Sequence, residues 1–243
     1  YNNKNKMSST QLCIHYFKRG KQKGEICGKT LCQNSQYCRK HTPNNTSDPN
    51  INIMSHTELN EHLRERINWA ISKPPSVVKK QGITIGQQKK ELQDKEKIWG
   101  NRMNGQCDNG QWSTKLGETL VFDILTLLGE HPIKVTKKEG YEPDWETDEF
   151  IYEVKTSNWW VDGTAGEKVL GTWIKYQDIP KLYGKPLRIV CIAHQEYELT
   201  EGKTNYFGDN ISPKTKECLD LAKSWGIEYM KFSDLIKPLD IGQ

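Results

Sequence analysis

The run Phe150-Ile151-Tyr152-Glu153-Val154-Lys155-Thr156 constrains this chain more than any other. It reads as a short strand, and on a strand side chains two positions apart face the same side. Glu153 and Lys155 therefore point together, while Tyr152 and Val154 point into the opposite layer. An acid and a base set side by side in an otherwise apolar strand are unusual for structure alone; the bland alternative is a Glu–Lys pair on an exposed edge strand.

The elements around that run follow from periodicity. Leu59, Leu63, Ile67 and Ile71 recur at four-residue steps after a cap at Ser55 or Thr57, which predicts a helix that Pro74 stops. Gln87 to Trp99 reads as a charged, exposed helix. Ser113 to Leu128 reads as a helix capped by Ser113 or Thr114, with Leu116, Leu120, Ile124, Leu127 and Leu128 on one stripe and Gly129 at its end. Strands are predicted over Ile133 to Thr136, Phe150 to Thr156 and Leu187 to Ala193, the last a buried central strand. Helices over Tyr176 to Tyr183 and Lys214 to Trp225, and a final strand over Ile227 to Phe232, complete an α/β sandwich around a mixed sheet.

At 243 residues the chain has room for one catalytic domain and a small accessory module. Composition separates a zinc-binding module at 1–42, a linker at 43–54, a helical region at 55–110 that is a candidate for reading DNA, and the main domain at 111–243. An apolar fraction of 35% and a mean hydropathy of −0.81 lie toward the polar end. No run approaches the roughly 20 apolar residues of a membrane helix, and Tyr1-Asn2-Asn3-Lys4 shows no signal-peptide core, so no membrane partner and an intracellular location are expected. A net charge of +4 with lysines gathered at 18–23, 79–80, 89–90 and 134–138 suits a polyanion partner, although solvated faces would look the same.

Pro143-Asp144 precedes Glu153 by a short spacer, where a strand or turn ends. Two carboxylates brought close make a hard oxygen site suited to Mg²⁺, and a lysine beside them can hold a water and offset charge at a phosphate. These residues resemble the active site of the PD-(D/E)XK nuclease superfamily, matched as Pro143-Asp144 and Glu153-Val154-Lys155, and the likeness covers about residues 110 to 195. Many members also carry a glutamate on the preceding helix, a position Glu118 matches; a solvated helix residue is the alternative. The resemblance implies a restriction-endonuclease-like α/β core, with a mixed sheet flanked by helices. It also implies catalytic roles for Asp144, Glu153, Lys155 and Glu118, and Mg²⁺ at Asp144 and Glu153. Glu142, Glu146, Asp148 and Glu149 are rivals for the metal role, in what looks like a hairpin.

The segment after the motif mixes Gly, Thr and Lys with aromatics. Thr156, Ser157, Asn158, Trp159, Thr164, Lys168 and Lys175 are its candidate DNA contacts, each Trp being equally readable as core. Seven cysteines form an odd count, and the crowding of Cys13, Cys27, Cys32 and Cys38 before His41 points to metal rather than disulfides. Cys13, Cys27, Cys38 and His41 can close a tetrahedral structural Zn²⁺ site, with Cys32 as alternate ligand and His15 a further one. This stretch is similar to short zinc modules of large DNA viruses, which implies a viral chain acting in host cytoplasm or virion. Cys107, Cys191 and Cys218 lie apart and read as small apolar residues.

The expectation is therefore a Mg²⁺-dependent endonuclease of double-stranded DNA, of the site-specific type II restriction kind, working as a homodimer because both strands of a symmetric site must be cut. The rivals are a junction resolvase, nicking or repair nuclease on the same core, and a non-catalytic zinc-containing DNA-binding protein.

Overall fold

The computed structural model describes residues 61–78, 81–104, 111–160, 169–202, 205–208 and 210–239. Two compact units divide the chain, 1–58 and 59–243, and every described residue belongs to the second. The cysteine module with Cys13, Cys27, Cys32, Cys38 and His41, the linker at 43–54, and Thr164 and Lys168 lie outside the described residues.

The elements run α1 (Glu61–Ile71), α2 (Ile85–Met103), α3 (Trp112–Leu127), β1 (Ile133–Lys134), β2 (Trp145–Glu146), β3 (Ile151–Ser157), α4 (Thr172–Lys175), α5 (Ile179–Tyr183), β4 (Leu187–Ala193), α6 (His194–Thr200), α7 (Pro213–Ser224), β5 (Ile227–Lys231) and α8 (Phe232–Leu235), with a final 3-10 turn at Lys237–Leu239. The five strands form one sheet in the order β1-β2-β3-β4-β5. β1–β2 and β2–β3 pair antiparallel, β3–β4 and β4–β5 parallel, which makes the sheet mixed. Helices cover both faces, so the α/β expectation holds. None of the described helices is long and apolar enough to cross a membrane.

The alternation of β3 sorts its side chains as the period of two requires. Tyr152 and Val154 enter a core with Leu63 and Ile67 of α1, Leu120, Val121 and Ile124 of α3, and Phe232 of α8. Ile151 enters the opposite core with Ile189 and Cys191 of β4, Tyr176, and Ile179 of α5. The helical stretch set apart at 55–110 is thus built into the main domain over its described part. α1 shares the first core, and the rings of Trp69, Trp99 and Trp112 tie α1, α2 and α3, with Trp69 centred 5.5 Å from Trp99 and 5.7 Å from Trp112. Glu96 accepts the Trp69 indole N–H at 2.8 Å and Glu65 that of Trp99 at 2.6 Å, which satisfies the polar edge of two half-buried rings.

Several boundaries depart from the sequence reading. α3 begins at Trp112, with Gln111 as its N-cap and no side-chain cap bond, because Trp112 is drawn into the tryptophan cluster one residue before Ser113. α2 extends to Ile85, where Thr84 and Gln87 make a capping box. The strand expected over Ile133 to Thr136 holds only two ladder residues. The helix expected from Tyr176 starts at Ile179, after the separate turn α4. Cys191 is buried, as a small apolar residue would be, but Cys218 is exposed.

One close approach decides where α3 sits on the sheet. A Cβ placed on Gly117 would lie 1.8 Å from Thr156 Oγ1 and 2.8 Å from Thr156 Cβ, so only glycine lets this turn of α3 rest on the end of β3. Gly117→Ala tests it. Alanine gains about 1 kcal/mol over glycine in a free helix interior, but overpacking costs about 1–3 kcal/mol. Urea unfolding is expected to show a net loss of about 1 kcal/mol, part of it recovered by adding Thr156→Ala; a single variant as stable as the wild type would contradict the contact.

Candidate active site

β2 pairs with β3 through only two residue pairs, Trp145 with Tyr152 and Glu146 with Ile151. Before Trp145 the chain bends away at Asp144, so the ladder edge of β3 from Val154 onward loses its backbone partner. The Asp144 carboxylate takes that place. Its Oδ2 accepts the Val154 N–H at 2.7 Å, while the Asp144 N–H donates to the Tyr152 carbonyl at 3.0 Å. Pro143, buried and lacking an N–H of its own, precedes this bend. Asp144 is thereby fastened beside Glu153, one ladder step past the paired residues.

Glu153 is 5% exposed. Its Oε1 accepts a hydrogen bond from Lys155 Nζ, two residues along the same face, and a second from the Tyr176 hydroxyl at 3.1 Å. Burial raises the Glu153 carboxyl above the usual glutamate range; Lys155 opposes this and the Asp144 charge adds to it. Glu118 joins from α3, where Gly117 brings the helix onto β3 and the Trp145 indole N–H donates to the Glu118 carbonyl at 2.8 Å. Its carboxyl is also raised, first by burial, then by the Asp144 charge and hydrogen bond and by Glu153, with Lys134 pulling the other way. Lys134 Nζ lies 3.6 Å from Asp144 Oδ1 and 5.1 Å from the Trp145 ring centre.

The structure therefore brings Glu118, Asp144, Glu153 and Lys155 together from α3, the bend before β2, and β3. The rival Glu146 is engaged by Lys185 at 2.8 Å. Glu118 and Glu153 are both raised, by burial first and then by the charge of neighbouring carboxylates, so the cluster is short of the positive charge that a divalent cation would supply. Among the described residues no three His, Cys, Asp or Glu side chains form a ready metal cage. A cation held here would use few protein oxygens and keep waters or substrate oxygens, which is the habit of Mg²⁺ and not of Zn²⁺.

The residues after the motif divide. The Thr156 and Ser157 hydroxyls are buried with no hydrogen-bond partner among the described residues, Thr156 against Gly117. Asn158 Oδ1 accepts the Trp160 N–H at 3.0 Å, which closes a local turn. Trp159 is 6% exposed and packs on His194 and Tyr197, so its ring is core here and has no free face for a base; its backbone N–H donates to Glu96 of α2 at 3.1 Å. Lys175 is exposed, with Nζ 3.2 Å from the Tyr176 hydroxyl. Tyr176 and Lys134 are the site residues that sequence reasoning missed. Lys134 stood in a basic run, but nothing in the sequence marks Tyr176, because its approach to Glu153 depends on how α4 folds back over the sheet.

Comparison with protein-family models, curated protein sequences and solved structures finds no match to this chain.

The raised carboxyls give a stability prediction. A carboxyl held above the ordinary 4.5 keeps its proton longer in the folded chain than in the unfolded one, so it costs stability as pH rises from 4.5 through its raised value. Glu118→Gln removes that cost. Urea unfolding should show the variant more stable than the wild type at about pH 8 and equal to it by about pH 4. A variant less stable at the higher pH would mean that burial and the neighbouring carboxylates do not raise Glu118.

Proposed function

We propose that the chain is a Mg²⁺-dependent endonuclease that hydrolyses phosphodiester bonds in double-stranded DNA. The observation that carries this reading is the convergence of Glu118, Asp144, Glu153 and Lys155. They come from α3, the bend before β2, and β3, and their types and order are those of the PD-(D/E)XK pattern. The finer reading is a site-specific enzyme of the type II restriction kind acting as a homodimer, with a structural Zn²⁺ held by the cysteine module.

Each residue has a task in that chemistry. Asp144 and Glu153 would hold the cation through their carboxylate oxygens, and Glu118 would support it from α3. When bound, Mg²⁺ supplies polarisation of the scissile phosphate and a lowered pKa for a water. Lys155, held against Glu153, is placed to orient the attacking water and to offset charge gathering on the phosphate oxygens. Lys134 and Lys175 put further positive charge along the same side, which suits the backbone of a polyanion.

Incubation of the purified protein with long duplex DNA and Mg²⁺ tests the reading. Discrete fragments are expected, abolished by EDTA, with Asp144→Asn and Lys155→Ala each slowing cleavage by at least about 100-fold. Branched and mismatched DNA run in parallel separates a site-specific enzyme from a structure-selective one. Intact DNA with Mg²⁺ and Mn²⁺ on all of these substrates would refute the nuclease.

A further inference from the structure

Tyr176 belongs to neither the sequence motif nor the roles just assigned, yet its hydroxyl reaches the most buried carboxylate of the site. The charged forms of Lys175 and Glu153 set the order of donors in this corner. A lysine ammonium donates and does not accept, a tyrosine hydroxyl carries one proton, and a carboxylate only accepts. With Lys175 Nζ 3.2 Å from the Tyr176 oxygen and that oxygen 3.1 Å from Glu153 Oε1, the chain of donation runs from Lys175 to Tyr176 to Glu153. Lys155 donates to the same Oε1. Both bonds fall on one oxygen, and among the described residues Oε2 of Glu153 receives none.

The tyrosine is held rigidly enough for this to matter. It is 6% exposed, its ring centre lies 6.1 Å from that of Tyr141, and it packs in the core with Val169, Trp173 and Ile179. Lys175 sits 4.6 Å from the centre of the same ring, over its face.

We propose that Tyr176, supported by Lys175, is a positioning residue: with Lys155 it occupies Oε1 of Glu153, so that Oε2 is the oxygen presented to the cation. This rests on the nuclease reading and deepens it. Without the Tyr176 bond the Glu153 carboxylate is free to rotate, and either oxygen can turn to Lys155. Groups that orient a ligand from behind in this way typically change metal affinity by about 10- to 100-fold when removed. Lys175, a candidate phosphate contact on sequence grounds, then acts on the cation through Tyr176.

The test is Mn²⁺ binding to the full chain without DNA, followed by calorimetry and by the electron paramagnetic resonance of the ion. The variants are Tyr176→Phe, Lys175→Met and Asp144→Asn, with circular dichroism confirming the fold of each. The expected result for Tyr176→Phe is Mn²⁺ affinity weakened about 10- to 100-fold, with kcat restored to within a few-fold at saturating metal and KM for DNA unchanged. Lys175→Met, on an exposed side chain, should weaken Mn²⁺ binding in the same direction and add nothing to Tyr176→Phe in the double variant. Wild-type Mn²⁺ affinity in both single variants would overturn the positioning role and leave the nuclease standing. A wild-type protein that neither binds Mn²⁺ in an Asp144-dependent way nor cuts DNA would overturn both.

Discussion

The site depends on one hydrogen bond, from the Val154 N–H to the carboxylate of Asp144. A strand partly buried on both faces cannot leave a ladder N–H unpaired at small cost; an unmade bond at a buried group costs about 1–3 kcal/mol. β2 could have continued alongside β3, and the ladder would then have been complete and chemically inert. The bend at Asp144 ends the pairing after two residues and gives the vacant ladder position to an acid. One interaction thus settles a structural need and a chemical one. It satisfies the strand and sets Asp144 next to Glu153. Everything else at the site is arranged around that junction: Gly117 lets α3 approach, Trp145 ties the helix backbone, and Lys134 balances Asp144 from the edge strand.

The charge distribution is costly for a resting protein. Burial raises Glu153 and Glu118, and each also feels Asp144. A fold selected only for stability would replace at least one of them by an amide. A cation shared by the carboxylates would relieve the repulsion among them. The same reasoning sets Glu96 apart. Its carboxyl is raised by burial too, but it is committed to the Trp69 indole and the Trp159 backbone, which makes it a structural clasp between α2 and the end of β3.

The sequence made the middle of this fold legible and left its edges dark. Leu187 to Ala193 is apolar except for Arg188, and it is the strand β4 with the same limits. The alternation in β3 placed Tyr152 and Val154 on one face and Glu153 with Lys155 on the other, because a strand's period needs no tertiary information. β2 was legible only as part of a hairpin around Glu142 to Glu149, without limits of its own, because two residues carry no period; its pairing is set by Thr147 and Phe150 closing the turn. α6 escaped notice because β4 runs into it with no glycine or proline between them; the junction is Ala193 at φ 56°, a strained position for a residue with a side chain. The acid-Lys pair and Glu118 could be seen as candidates in one dimension. The Tyr176 hydroxyl could not, since it reaches Glu153 from 23 residues away through a turn whose course is set by packing against Trp173 and Ile179.

The central claim is that Glu118, Asp144, Glu153 and Lys155 form one site built to hold a divalent cation. A crystal of the protein soaked in Mn²⁺ and measured at an energy where manganese scatters anomalously tests it most directly. The account predicts a peak bound by Asp144 and Glu153, beside Lys155 and within reach of Glu118. A peak held by other residues, or none at millimolar Mn²⁺ with the carboxylates in place, would contradict it.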